Sequence, residues 1–203
     1  MRIIIGILWV AVLTVLAPVA ASSHEPAQTP LLPDEVKARS YFTDSKLLTH
    51  EGEEVRFFSD VLANRIVIIN GFYTGCEGLS PRQAQVLTSL QDMLGDSLGK
   101  EVFIVSITVD PENDTVEKLA EFAREQKAKP GWLFLTGDPE DVDRVNRKLG
   151  QYKEAPEDHA GIYVMGNVKT GLWMKIPLHA MSRDLYLQTQ RLLEDNGEMP
   201  GSE

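Results

Sequence analysis

Residues 66–81 read IVIINGFYTGCEGLSP, and this stretch decides the fold class. It opens with an apolar run that is typical of a buried strand, broken only by Asn70 and Gly71 before Phe72. The loop that follows carries Cys76, and Ser80-Pro81 has the chemistry of a helix N-cap followed by a first helical position. The stretch therefore predicts a strand, a thiol-bearing loop and a helix in direct succession.

Strands and helices continue to alternate after this stretch. The helix that starts at Ser80 keeps its apolar spacing until Gly95, and a second buried strand follows before Asp110-Pro111. The predicted elements of this middle part are a strand over Val102–Val109, a helix from Asp114-Thr115 to about Gln126, a strand over Trp132–Leu135 and a helix from Asp138 to Leu149. Two β-α-β crossovers of this kind predict a parallel core of strands with helices on both faces.

Two hairpins and a last helix complete the pattern. An N-terminal hairpin is predicted from Lys46–Leu48 and Val55–Phe57, with its turn at His50–Glu53. Near the C-terminus a second hairpin is predicted around Gly166-Asn167, from strands Ile162–Met165 and Leu172–Ile176, before a helix over Ser182–Leu193. The element order predicts an α/β, thioredoxin-like fold with a central sheet, flanking helices and an N-terminal hairpin.

The ends of the chain have a different composition. Residues 1–21 combine a basic start, an apolar run and small residues at the end, which indicates a secretory signal peptide or else an uncleaved N-terminal anchor. Residues 22–40 are polar and proline-rich and are predicted to be a flexible tether, residues 41–195 the folded domain, and residues 196–203 a disordered tail. Either interpretation of the N-terminus places the domain outside the cytoplasm, in the periplasm or otherwise exported.

Charge and cysteine usage exclude some functions. The net charge of −10, or −11 without Arg2, repels nucleic acid and anionic lipid, so contact with a membrane is expected only through an uncleaved N-terminal segment. Cys76 is the only cysteine, which excludes an internal disulfide. A free thiol, a metal ligand or a bond to a partner protein remains open for it.

The motifs together resemble those of the Sco/SenC family over about Tyr41–Leu193. The similar segments are Phe72-Tyr73-Thr74-Gly75-Cys76, Ser80-Pro81 in the place of a Cys-Pro pair, Val109-Asp110-Pro111-Glu112-Asn113-Asp114-Thr115, the stretch from Trp132 to Glu140, and Asp158-His159 before the last hairpin. The resemblance implies a thioredoxin-fold copper chaperone that serves the dinuclear copper centre of cytochrome c oxidase. It implies Cys76 and His159 as copper ligands, and the copper subunit of the oxidase, or another periplasmic thiol or copper protein, as a partner.

The chain departs from the family at Ser80, where the resemblance implies a second cysteine. A hydroxyl is a poor ligand for Cu(I) and cannot form a disulfide, so a weakened copper site is expected. Glu77 is expected to be solvated, although a carboxylate next to Cys76 would raise the pKa of the thiol. Met165 or Met174 could add a thioether ligand, although nothing in the sequence places either near the site.

Three function classes follow from these residues. The first, which the retention of His159 favours, is copper binding or delivery through Cys76 and His159, by an accessory protein rather than an enzyme. The second is a single-cysteine redox protein, either a thiol peroxidase or a reductant that forms mixed disulfides, with Cys76 as the catalytic residue. The third is a degenerate partner-binding domain without catalysis. The copper hypothesis requires that Cys76 and His159 face each other across one cleft.

Overall fold

The computed structural model describes residues 33–156 and 161–197, and within them one mixed sheet separates two layers of helices. Its seven strands are β1 (Lys46–Thr49), β2 (Glu54–Arg56), β3 (Ile66–Phe72), β4 (Val102–Thr108), β5 (Trp132–Thr136), β6 (Ile162–Asn167) and β7 (Leu172–Pro177). The helices are α1 (Pro33–Phe42), α2 (Leu79–Leu94), α3 (Val116–Glu125), α4 (Pro139–Leu149) and α5 (Ser182–Glu194). None of these helices is long and apolar enough to cross a bilayer.

The sheet has the strand order β2-β1-β5-β4-β3-β6-β7. Strands β3, β4 and β5 are parallel, as the two predicted crossovers require, while both outer pairs run antiparallel. The pairing of β3 with β4 runs from Ile66↔Val102 to Phe72↔Thr108, so both strands end at the same level. The loops that follow them, one carrying Cys76 and the other Asp110–Asp114, therefore start side by side.

The apolar run of β3 is explained by burial on both faces of the sheet. Ile66, Ile68 and Phe72 face a core formed with α2, α3 and α5. Val67 and Ile69 point the other way, into a core formed with α1, α4 and a short π-helical segment over Phe57–Leu62. Both layers predicted from the β-α-β pattern are present, and the predicted α/β architecture is confirmed.

The N-terminal boundary of the folded domain was predicted too late in the chain. Residues 33–40 were assigned to the tether, but α1 begins at Pro33, and the fixed backbone angle of proline suits a first helical position. Ala38 and Phe42 are both buried against the second core. The predicted export segment, tether residues 22–32 and tail residues 198–203 lie outside the described residues.

Both predicted hairpins are present with shifted ends. β2 ends at Arg56, and Phe57 begins the π-helical segment instead of closing the strand. The second hairpin turns after Asn167 and not at Gly166, which is inside β6 and pairs with Trp173 of β7. A Cβ on Gly166 would lie 2.3 Å from the Trp173 ring, so this glycine provides room for the indole rather than a turn.

Candidate metal centre

Cys76 lies four residues beyond the C-terminal end of β3, in the loop that leads into α2. Tyr73 and Cys76 close a turn, in which the Cys76 N–H donates to the Tyr73 carbonyl at 3.3 Å. Side chains at this edge of an open α/β sheet are typical ligand contacts. The predicted position of the thiol is confirmed, and its side chain is partly exposed.

The thiol is surrounded by hydrogen-bond donors from the start of α2. The Ser80 N–H donates to the Cys76 Sγ at 3.3 Å. Partial burial alone would raise the pKa of Cys76, but hydrogen bonds from the Ser80 backbone and side chain and from the backbone of Gly78 and Leu79 lower it overall. Glu77 is exposed, as expected for a solvated side chain, and the donors that contact the sulfur directly determine the direction of the shift in pKa. These donors favour the thiolate, the form of cysteine that binds metals and attacks electrophiles.

Ser80 is not the N-cap of α2. The helix begins one residue earlier, at Leu79, and Gly78 occupies the cap position without a side-chain hydrogen bond. The Ser80 side chain is only 1% exposed, and its Oγ accepts a hydrogen bond from the Tyr73 N–H at 3.2 Å. Ser80 therefore connects the two ends of the thiol loop: its oxygen holds Tyr73 and its donors hold Cys76.

Asp114, in the loop that follows β4, anchors the thiol loop, a role that was not predicted from the sequence. Its carboxylate, 1% exposed, accepts from the N–H and the hydroxyl of Thr74 and, at 2.6 Å, from the Thr108 hydroxyl. The N-cap of α3 is the next residue, Thr115, whose side chain accepts a hydrogen bond from the Lys118 N–H. The loop after β4 lies beside the thiol loop because β3 and β4 are parallel neighbours. Asp114 is therefore free to bind the thiol loop, since Thr115 already caps α3, and this combination is the sequence signal for its role.

The other predicted ligands are His159, Met165 and Met174. His159 lies in the segment 157–160, outside these residues, so its distance from Cys76 stays a prediction. Met165 is fully buried beside Ile68 in mid-sheet, and Met174 is its partner on β7, so the predicted thioether contribution is wrong. Among residues 33–156 and 161–197, no three His, Cys, Asp or Glu side chains form a cluster that would hold a metal ion.

Comparison with known proteins places this arrangement in a family. A family model described as SCO1/SenC matches residues 34–174, which includes the thiol loop and the segment up to β7. This chain belongs to the SCO1/SenC family. Over 124 residues it is 32% identical to the protein "SCO2 homolog, mitochondrial" of Danio rerio, covering 60% of this chain and 43% of that protein. The chain thus spans less than half the length of this curated SCO1/SenC relative.

Solved structures confirm the thioredoxin-like fold of this SCO1/SenC chain. Arabidopsis thaliana ScoI, solved with copper bound, superposes with a TM-score of 0.63 at 22% identity, covering 76% of this chain and 98% of that structure. BsSco, described as a member of the Sco family of cytochrome c oxidase assembly proteins, has a TM-score of 0.62 at 21% identity, covering 74% and 92% of the two chains.

Proposed function

We propose that this chain carries Cu(I) as cargo through the Cys76 thiolate and His159, in a role connected with cytochrome c oxidase assembly. The observation that carries the proposal is the environment of Cys76, a partly exposed sulfur that accepts hydrogen bonds from the first turn of α2. A thiolate is a soft donor that suits Cu(I), and imidazole also suits copper. The copper-bound structure of the Arabidopsis relative and the description of BsSco as a cytochrome c oxidase assembly protein support the proposal.

The topology of the sheet supports His159 as the second ligand. β6 runs antiparallel to β3, and Tyr163 near the start of β6 pairs with Asn70 near the end of β3. The start of β6 therefore lies next to the C-terminal end of β3, where the chain leaves β3 toward Cys76. His159 precedes Ile162 by three residues, a distance that a short loop spans easily.

Ser80 limits the strength of this site. Its oxygen already accepts a hydrogen bond from the Tyr73 N–H, and a hydroxyl is a poor ligand for Cu(I) even where it lies beside the thiol. One thiolate and one imidazole then bind Cu(I) less tightly than two thiolates and one imidazole. A weaker site suits a protein that releases its cargo to a partner, for which we propose the oxidase copper subunit or another exported thiol or copper protein.

Competition titration of Cu(I) tests the proposal. We would titrate the protein under anaerobic, reducing conditions against a chromogenic Cu(I) chelator, with Cys76→Ser, His159→Ala and His179→Ala beside the wild type. His179 is an exposed histidine two residues beyond the end of β7 and is the matched control. We expect Cys76→Ser to lose binding, His159→Ala to weaken it at least about tenfold, and His179→Ala to leave it unchanged. Unaltered affinity in Cys76→Ser would refute the proposal.

We also propose that the domain acts after export, directed by residues 1–21. The apolar run and the small residues before Ser22 support a cleaved signal peptide, and the family's mitochondrial and lipoprotein members are consistent with a membrane-associated or exported location. N-terminal sequencing of the protein recovered from the periplasmic fraction distinguishes cleavage before Ser22 from an intact anchor. Recovery only from the cytoplasm would contradict export.

A second candidate function, thiol redox chemistry, is favoured by the same donors around Cys76. In a mixed-disulfide cycle the Cys76 thiolate attacks one sulfur of a partner disulfide, and the partner's second sulfur leaves as a thiolate. An external thiolate then attacks the Cys76 sulfur and releases the reduced partner, and a second external thiolate attacks the external sulfur of the new disulfide and frees Cys76. Two external thiols are thereby oxidised to one disulfide. In peroxide reduction the thiolate attacks an oxygen, the O–O bond breaks, and a sulfenic acid and an alcohol are formed. If the wild type reacts with peroxide and with disulfide reagents no faster than free cysteine, this candidate fails. Copper binding and partner binding without catalysis then remain as the possible functions.

A further inference from the structure

A cavity of about 410 Å³ lies on the side of the sheet that carries α1 and α4, and it shares no lining residue with the thiol loop. We call it the α1 cavity; it is formed by α1, the C-terminal end of α4 and the β6–β7 hairpin. Its volume is in the range of small-molecule sites, roughly 300–1,000 Å³. Most of its wall is apolar, which is the usual lining of such sites.

One wall of the α1 cavity is aromatic and rigidly placed. The rings of Phe42 and Trp173 lie 4.6 Å apart between centroids, and Tyr41 meets Phe42 edge-on at 4.9 Å. The indole of Trp173 lies flat over Gly166, where even a Cβ atom would collide with it. The Tyr41 hydroxyl donates to the Lys148 carbonyl at 2.9 Å, so it is already occupied. This wall therefore offers a preformed surface for a flat apolar ligand.

The charged groups of the α1 cavity are all cationic. Lys37, Lys148 and Lys175 line it, and none of the described lining residues is acidic. Lys148 and Lys175 have no carboxylate within 4.0 Å in the described part of the chain. They converge from two elements, since Lys148 is in the last turn of α4 and the Nζ of Lys175 lies beside Gly150, just past that turn.

The ammonium groups of Lys148 and Lys175 keep their charge available to a ligand. Lys148 Nζ lies 5.2 Å from the centroid of the Tyr41 ring, and an aromatic face stabilises an ammonium without neutralising it. A concentration of cations is unusual in a chain of net charge −10. Together with the aromatic wall, it determines the kind of molecule that fits: an apolar body with an anionic group.

We propose that the α1 cavity binds small aromatic monocarboxylates. The aromatic body packs against the apolar wall, chiefly the partly buried Trp173 ring that Phe42 supports from behind, and the carboxylate is held by Lys148 and Lys175. The proposal does not depend on copper binding, because none of these residues belongs to the loop of Cys76.

Calorimetric titration of the full chain with a matched pair of probes tests the proposal. 2-Naphthoate carries the carboxylate, whereas 2-naphthamide has the same shape without the charge. We expect naphthoate to bind with a Kd in roughly the 0.1–1 mM range, as its size allows, and naphthamide to bind at least about fivefold more weakly. The double variant Lys148→Met/Lys175→Met keeps the aromatic wall and removes both charges, and its naphthoate Kd should rise about five- to tenfold.

The control variant Lys118→Met/Lys153→Met removes two exposed lysines elsewhere on the surface and changes the net charge equally. Its naphthoate Kd should stay within about twofold of the wild type, since long-range charge effects are screened at physiological salt. The absence of any binding heat with naphthoate would overturn the proposal. Equal binding of naphthoate and naphthamide would also overturn it, as would an equal rise of the naphthoate Kd in the two double variants.

Discussion

At the scale of single residues, the side chain of Ser80 contributes to the ionisation of Cys76. Its hydrogen bond is among those that lower the thiol pKa against the effect of burial. Ser80→Ala removes this donor but leaves the backbone N–H that donates at 3.3 Å. The pKa of Cys76 should rise, so the midpoint of its alkylation rate should move to higher pH.

Alkylation with iodoacetamide across a pH series measures this shift. Because the folded-state pKa in the wild type is lowered, its thiolate persists to a lower pH than that of an unperturbed cysteine. Ser89→Ala is the matched control, since Ser89 is an exposed serine on the same helix whose hydroxyl donates to the Gln85 carbonyl. An unchanged midpoint in Ser80→Ala would show that the backbone donors alone set the reactivity of the thiol.

Ser80→Cys tests whether the loop still has the shape of a two-thiolate copper site. The side chain at position 80 already contacts Cys76, so the new thiolate is placed beside the first. Cu(I) affinity should rise by at least about tenfold, because a soft thiolate replaces a hydroxyl. Since the Tyr73 N–H loses its oxygen acceptor, unfolding should become easier by roughly 0.5–1.5 kcal/mol.

Two measurements check this variant: Cu(I) competition, and thiol counting after mild oxidation. The pair of cysteines should close to a disulfide if the Cα atoms lie within about 7 Å. Ser89→Cys adds a thiol on an exposed part of α2, and it should neither raise the Cu(I) affinity nor lose its two thiols to a disulfide on mild oxidation. A folded Ser80→Cys variant with wild-type copper affinity would mean that the loop is not shaped for a metal.

Asp114, in the loop after β4, holds the thiol loop in position through its hydrogen bonds with Thr74 and Thr108. Asp114→Asn replaces one acceptor oxygen with a donor, which leaves at least one of its three contacts with Thr74 and Thr108 unsatisfied. The free energy of unfolding should fall by roughly 1–3 kcal/mol.

Urea denaturation measures this loss, and the control is Asp138→Asn, where asparagine caps a helix as well as aspartate does. Asp138→Asn should change stability by only a few tenths of a kcal/mol, or about 0.5 at most. Equal effects of the two substitutions would contradict the anchoring role of Asp114.

At the scale of elements, α1 is part of the folded domain and not part of the predicted tether. Phe42 is buried between this helix, the π-helical segment and Trp173. Phe42→Ala should lower the free energy of unfolding by about 3–5 kcal/mol, because it leaves a cavity in the second core. Val36 is on the same helix and is 55% exposed, so Val36→Ala should cost less than about 0.5 kcal/mol. Small losses in both variants, measured by thermal or urea unfolding, would contradict this structural role for α1.

The elements that could be predicted from the sequence are those with a strong local signal. The apolar runs of β3 and β4 and the Asp138-Pro139 start of α4 are examples, and each was placed within a residue or two. α1 was missed because Pro33 was grouped with other prolines as a tether, although proline also begins helices.

The candidate site was predicted only in part, for a physical reason. The place of Cys76 follows from its position after a parallel strand, which is a local rule. The roles of Ser80 and Asp114 depend on contacts with Tyr73 and Thr74 across loops, and the α1 cavity on elements that are distant in the chain. Such contacts leave no spacing pattern in a single sequence.

At the scale of the whole molecule, the proposed copper site connects parts of the chain that only folding brings together. Cys76 follows β3 and His159 precedes β6, and these strands are neighbours in the sheet although they are far apart in sequence. An unfolded chain cannot hold both ligands on one ion without an entropic cost, so Cu(I) should bind the folded state preferentially. Copper binding should therefore stabilise the entire domain against unfolding.

The size of this stabilisation follows from mass action. With free Cu(I) at about one hundred times its Kd, the folded state gains ~2.7 kcal/mol, which corresponds to a rise in Tm of roughly 5–10 °C for a chain of this size. Differential scanning calorimetry under anaerobic, reducing conditions measures the shift, and a Cu(I)-selective chelator should reverse it. Cys76→Ser should show no shift at the same copper concentration, because the loss of its thiolate removes the preference of copper for the folded state. A wild-type Tm that does not respond to copper, or a Cys76→Ser variant that responds equally, would contradict copper handling through Cys76 and leave thiol redox chemistry or partner binding as the function.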